Sequence, residues 1–92
     1  MITQASAEIA IDKSIDIYPN PASTFIVVYN YKDAIGRQIE LVDLSGRMVR
    51  KQRVTNLSTR IETNGLSNGI YFLKVSDTKG KTLRLEKILV HK

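Results

Sequence analysis

The chain has 92 residues, with 14 lysines and arginines against nine acidic side chains, a formal net charge of +5, and no cysteine. That length holds one core and not two, and the lack of thiols excludes disulfides, thiol catalysis and zinc–thiolate sites. No apolar run approaches the ~18 residues that span a bilayer, and Met1 is not followed by the basic start and apolar stretch of a secretory leader; if the chain is secreted, that signal is expected on a longer precursor.

In chain order, residues 1–15 read as a linker, either open throughout or ending in a strand at residues 8–12 (EIAID), which alternate weakly. Residues 16–23 hold both prolines. Pro19 and Pro21 remove two backbone donors and bias Tyr18 and Asn20 to extended geometry. This segment is a rigid crossing between elements, or an edge that cannot extend a sheet. From residue 24 the pattern is β throughout. Residues 24–30 (TFIVVYN) are rich in β-branched and aromatic side chains. A polar loop at 32–36 ends in glycine. Residues 37–44 then alternate, with Ile39 and Leu41 on one face and Gln38 and Glu40 on the other. Ser45-Gly46 makes a tight turn, because glycine takes positive φ at no steric cost.

The return strand, residues 47–55, alternates poorly: turning Val49 inward would turn Lys51 and Arg53 inward too. A bulge or an exposed edge is implied, and basic residues on an edge oppose aggregation. Residues 59–63 form a short strand carrying Ile61. Asn64-Gly65 and Asn68-Gly69 are turn signals. Residues 70–76 put Tyr71, Leu73 and Val75 on one face. A glycine-containing hairpin loop at 77–81 leads to the last strand, residues 82–91. There Leu83 and Leu85 are in phase and Ile88 and Val90 are not, which predicts a bulge near Glu86-Lys87. Six strands follow from these patterns, with residues 8–12 as the candidate seventh. No segment shows a helical period with caps. Short strands at close intervals indicate an all-β sandwich or barrel. The pattern Leu66-x-x-Gly69-x-Tyr71, where the penultimate strand begins, is similar to a tyrosine corner. It favours an immunoglobulin-like antiparallel β-sandwich of about seven strands. In that corner Leu66 plugs the core, Gly69 allows the turn, and the Tyr71 hydroxyl bonds back to the backbone upstream.

Charge is uneven. Residues 1–46 hold three basic against six acidic residues, and residues 47–92 hold eleven against three. A basic half favours anionic partners such as lipopolysaccharide, acidic protein surfaces or nucleic acid; a solvated, solubilising face is the plainer reading. The densest cluster, Arg47, Arg50, Lys51 and Arg53, lacks the aromatic platform of a single-strand binder. Tyr71 and Phe25 read as core or corner residues, Phe72 is remote in sequence, and no recognition helix exists. No nucleic acid is expected. For catalysis, His91 is the single histidine, and a Ser-His-acid array drawn from seven serines onto a fraying terminus is a poor active site. Asp12 with Asp16, or Asp33 with Asp43, could form an acid/base pair, but loop carboxylates in a β-domain ordinarily form turns. No EF-hand spacing or clustered Asp/Asn loop calls for calcium. Catalytic residues, metal ligands and cofactors are expected to be none.

Four short segments stand in order: Tyr18-Pro19-Asn20-Pro21, Asp43-Leu44-Ser45-Gly46-Arg47, Leu66-Ser67-Asn68-Gly69-Ile70-Tyr71, and Lys87-Ile88-Leu89-Val90 just before Lys92. In that order and spacing they resemble the type A C-terminal sorting domain of the type IX (Por) secretion system of Bacteroidetes-type bacteria. The resemblance covers residues 16–92 and implies an address, with residues 1–15 as linker. It implies that Tyr18, Pro19, Asn20, Pro21, Gly46, Arg47, Gly69, Tyr71, Lys87, Ile88, Leu89, Val90 and Lys92 carry the signal. By the same resemblance, an upstream passenger domain reaches the periplasm independently. It is then taken through the outer-membrane type IX translocon with its shuttle proteins. A cell-surface sortase of the cysteine-protease type removes the domain, with cleavage expected within residues 2–13. The passenger ends secreted, or joined to an anionic lipopolysaccharide at the cell surface. Beside this, the turn roles of Gly46, Gly69, Pro19 and Pro21 are sufficient reasons for their presence. The run Lys87–Val90 reads equally as an ordinary last strand or as a terminus with basic ends that an outside partner docks. The alternative from another class is a structural or adhesive β-sandwich module, or a carbohydrate-contacting one with an aromatic face, appended to an extracellular enzyme. Tyr29, Tyr31 and Phe72 are the candidates for that face, with no tryptophan to join them.

Overall fold

Alternation along the chain sets which side chains point inward, and the described residues of the computed structural model form seven strands, most of which carry it. The structure describes residues 13–32 and 35–92. The strands are β1 (Ile15–Tyr18), β2 (Phe25–Asn30), β3 (Gln38–Asp43), β4 (Met48–Arg53), β5 (Ser58–Glu62), β6 (Gly69–Ser76) and β7 (Thr82–Val90). They form two antiparallel sheets, ordered β1-β2-β5 and β4-β3-β6-β7. Between them lie Ile15, Ile26, Val28 and Ile61 from the first sheet and Ile39, Leu41, Leu73, Val75, Ile88 and Val90 from the second, each exposed by 2% or less. Burying one such side chain contributes about 1.5–3 kcal/mol, so this shared layer dominates the net stability of a domain of this size.

Residues 8–12, the candidate seventh strand, lie outside the described part; among the described residues a seventh strand stands elsewhere. It is β1, in the segment read as a crossing. The prolines end this strand without excluding it, because the last ladder pair, Tyr18 opposite Val27, comes just before Pro19. The bonds before Pro19 and Pro21 are both cis. Phe25 also departs from expectation. Ile26, Val28 and Asn30 take the inward positions of β2, so Phe25 faces out, with the Arg60 guanidinium 3.9 Å over its ring.

The poor alternation of β4 has two causes acting together. The strand is a sheet edge, and the register shifts between Leu41 (opposite Arg50) and Val42 (opposite Met48), leaving Val49 as the extra residue. Val49 packs against the core margin. Arg50 is thereby on the inner side, where its Nε donates to the Glu62 carbonyl at 3.0 Å and ties β4 to the other sheet.

The bulge of β7 lies earlier than residues 86–87. Val75 stands opposite Arg84 and Ser76 opposite Thr82, so Leu83 is the extra residue. Arg84, Glu86, Ile88 and Val90 consequently share the inward face. The leucine phase misled because two inward positions at this end hold a charged pair in place of apolar side chains. Arg84 Nη2 lies 2.8 Å from Glu86 Oε1, and Arg84 Nη1 donates to the Ile15 carbonyl at 2.5 Å. An edge of each sheet is joined there.

The corner forms as its sequence predicts. Tyr71 is buried and its hydroxyl donates to the Ser67 carbonyl at 2.7 Å. Leu66 packs against the core, and Gly69 has φ 152°. Tyr71→Phe removes that donor and leaves a carbonyl without its partner. It should lower stability by about 1–2 kcal/mol, read as a fall in the urea midpoint; an unchanged midpoint would deny the corner its role.

Candidate functional site

After β1 the chain leaves the first sheet and runs beside the terminal strand of the second. Pro19 and Pro21 have no N–H to offer. The side-chain amide of Asn20 supplies both a donor and an acceptor instead. Its Nδ2 donates to the Lys87 carbonyl at 2.9 Å, and its Oδ1 accepts from the Leu89 amide at 3.0 Å. Two residues later Ala22 continues the ladder with its backbone. Ala22 N donates to the Leu89 carbonyl and His91 N to the Ala22 carbonyl, both at 2.8 Å. These four bonds occupy the outer edge of β7 at Lys87, Leu89 and His91, an edge that would otherwise be open to another strand.

The remaining motif segments reach the same end of the sheet. Gly69 stands opposite Val90 and Tyr71 opposite Ile88. Asp43 in turn stands opposite Tyr71, so the turn carrying Gly46 and Arg47 begins beside the corner. Ile88 and Val90 are fully buried, while Lys87 and Lys92 are exposed and Leu89 is 41% exposed. Lys92 is not simply solvated: its amide donates to Asn68 Oδ1 at 3.0 Å and its Nζ to the Thr63 carbonyl at 2.8 Å. Tyr18 stands apart, 48% exposed on the outer face of the three-stranded sheet.

Two contributors escaped the sequence reading. Thr63 is fully buried; its hydroxyl donates to the Ser23 carbonyl at 2.8 Å and its amide to the Thr24 carbonyl at 3.0 Å. It links the crossing segment to the loop before the corner. No local signal marks it, since a threonine ending a strand is ordinary. The second, Asp77, had a signal. Asp77-Thr78-Lys79-Gly80-Lys81 repeats the Asp-x-x-Gly-basic pattern of residues 43–47. Asp43 Oδ1 accepts from Ser45 N at 2.9 Å, Ser45 Oγ at 2.6 Å and Arg47 N at 3.0 Å. Asp77 Oδ1 accepts from Lys79 N and Lys81 N, both at 2.9 Å. Gly46 and Gly80 each have φ 89°, as a three-residue hairpin loop requires. The Ser45 hydroxyl, with the Arg47 amide, holds the Asp43 carboxyl below its ordinary range, and the Lys81 amide does the same for Asp77. Asp43 is thus a turn-forming carboxylate and a poor general acid. Its imagined partner Asp33, like Asp12, lies outside the described residues. Asp16 accepts the Tyr31 hydroxyl, and that bond raises the phenol above its usual value.

The aromatic candidates do not make one platform. Tyr29 and Tyr31 meet edge-to-face at 4.9 Å beside the three-stranded sheet, whereas Phe72 faces outward from the other sheet, opposite Val42 and Lys87. Among the described residues no group of three or more His, Asp or Glu side chains is placed to hold a metal ion.

A two-sheet immunoglobulin-like sandwich whose motif segments meet at one end defines a class, and comparison with known proteins agrees. The chain has the fold of an immunoglobulin-like β-sandwich protein from Bacteroides vulgatus, at TM-score 0.71 and 13% identity, over 85% of each chain. It also matches part of PorZ, an essential surface component of the type IX secretion system of Porphyromonas gingivalis. That match has TM-score 0.70 and 18% identity, over 85% of this chain and 11% of that one. It is 32% identical over 69 residues to beta-agarase A of Zobellia galactanivorans, covering 73% of this chain and 12% of the agarase. The family model of the secretion system C-terminal sorting domain matches residues 16–91, and the chain belongs to that family. It is a C-terminal secretion signal of the type IX system, a mark for export to the cell surface or beyond. Such a signal is not itself catalytic.

Asn20→Ala removes both side-chain bonds to β7. It should cost about 1–2 kcal/mol, two partly solvated hydrogen bonds, and speed hydrogen exchange at the Leu89 amide; unchanged exchange there would contradict the pairing. The two turns carry a pH signature. Their folded carboxyl pKa values are depressed, so their contribution is complete above the unfolded carboxyl pKa of about 4 and is lost as pH falls through the folded values. Asn keeps the accepting oxygen without the titration. Asp43→Asn with Asp77→Asn should therefore flatten the fall in melting temperature on acidification; an equally steep fall would place the acid sensitivity elsewhere.

Proposed function

We propose that the type IX machinery reads the end of the sandwich where the four segments meet, as a folded surface and not as a linear tail. Their convergence carries this reading. Asn20 and Ala22 hold residues 87–91 in one conformation, and Thr63 and Asn68 hold Lys92. A partner that docks there meets a pre-ordered site and loses little conformational entropy on binding. The signal residues on this view are Pro19, Asn20, Pro21, Gly46, Arg47, Gly69, Tyr71, Lys87, Ile88, Leu89, Val90 and Lys92. Most of them act by shaping the surface, with Tyr18 leading into the crossing. Residues 16–92 form the sorting unit, and residues 1–15 link it to an upstream passenger. The outer-membrane translocon and its shuttle proteins engage the folded unit in the periplasm. A cell-surface sortase then cuts within residues 2–13, and the passenger is released or joined to an anionic lipopolysaccharide.

The test is a reporter with an inner-membrane signal peptide fused ahead of residues 1–92, in a host with the type IX machinery. The reporter should appear outside the cell, with a new C-terminus within residues 2–13 by mass spectrometry. In the same host without the translocon it should stay in the periplasm. Export that is indifferent to the translocon would sink the proposal, and an uncut fusion outside would sink its cleavage step.

A further inference from the structure

The outer face of the four-stranded sheet carries apolar side chains that the fold does not use. Leu89 stands opposite Ile70, Phe72 opposite Val42, and Val42 opposite Met48. Leu44 follows in the adjoining turn. Leu44, Met48, Ile70 and Leu89 are 69%, 47%, 37% and 41% exposed. Three of them come from three different motif segments, whose buried members Tyr71, Ile88 and Val90 are explained by packing. A single exposed leucine needs no explanation, whereas a contiguous group marks an interaction surface. Further along the same face the residues turn basic. Lys51 stands opposite Glu40 and Glu40 opposite Lys74, with Arg53 opposite Gln38 in the next row. They line an open depression of about 410 Å³. With Lys87, four cations share this face with Glu40, which lies 3.4 Å from Lys74, and with Asp77 at the rim of the depression, whose carboxylate is taken up by the Lys79 and Lys81 amides of its own turn.

We infer that this face docks a protein of the export machinery through an apolar patch flanked by acidic side chains. The inference rests on the sorting reading and names the partner chemistry of that same site. Charge complementarity selects the occupant. A second copy of this chain, packed face to face about a two-fold axis, would set four cations against the same four. A lipid surface is disfavoured because Lys87 stands opposite Phe72, within the apolar group. Sinking the patch into acyl chains would take an ammonium with it, while a protein can meet that ammonium with a carboxylate.

The experiment uses the same reporter fusion with two variants, Leu89→Thr with Ile70→Thr, which places a strand-compatible β-branched residue at both positions, and Lys87→Glu. Both should leave the reporter in the periplasm while the purified domains melt as the unaltered one does. If the double variant melts low, Lys87→Glu decides alone. Tyr31→Ser, on the other sheet, should export normally. If the unaltered fusion is not exported, the sorting reading itself fails. If it is exported and both face variants follow it outside, that reading stands and the docking face is overturned. A block by Tyr31→Ser as well would deny the face any special part. Two further measurements bear on the occupant. The purified domain should sediment as a monomer and should not pellet with phosphatidylglycerol vesicles at physiological salt. A dimer, or vesicle binding, that the double variant abolishes would replace the protein partner with a second copy or a membrane.

Discussion

The terminal strand is the outermost strand of its sheet, and two of its side chains, Ile88 and Val90, are among those that close the core. An edge strand has neighbours on one side only. The bonds from Asn20 and Ala22 supply the second side over the last residues of β7. Everything else at that end depends on this pairing. Without it, Val90 and Ile88 are held only by β6, the corner loses the strand it leans on, and Lys92 is not brought to Thr63 and Asn68. The arrangement also explains why a segment with two prolines can sit there. A backbone lacking two N–H groups cannot ladder, but an asparagine between them can, through its side chain.

The opposite end of the sandwich is closed by different chemistry. Arg84 and Glu86 occupy inward positions of β7, and Arg84 reaches the Ile15 carbonyl across to the edge of the other sheet. Arg50 does the corresponding work between β4 and the end of β5. Long guanidinium side chains span the gap between sheet margins while keeping their apolar stems against the core. Several of the cations of the basic half are therefore cross-sheet ties. Of the others, Lys51, Arg53, Lys74 and Lys87 share the outer face of one sheet.

For a domain whose task is to be recognised, this division has a consequence. The buried halves of the motif segments build a rigid end, and their outward residues decorate it. Motif and fold are hard to separate in the sequence because the same few residues serve both. In space they separate by face, since adjacent positions on a strand point to opposite sides.

Much was legible in the sequence by itself. The β class, six of the strands, both alternating core strands and the tyrosine corner rest on local periodicity and turn chemistry, which act over a few residues. The family motifs were legible for the same reason. Tertiary structure decided what depends on partners remote in the chain. The prolines marked a break, but only the ladder to β2 shows that a strand ends there. Leu83 and Leu85 set the apparent phase of the last strand because nothing local reveals that Arg84 and Glu86 point inward to join two sheets. Phe25 looked like core because its parity is set by Ile26 and Val28 packing across the sandwich. The bonding of Asn20 to residues 67 and 69 positions away, and of Thr63 to Ser23, 40 positions away, is likewise invisible to any local reading. Periodicity encodes which way a residue faces within its strand; which strand it meets is settled only when the sheets close on one another.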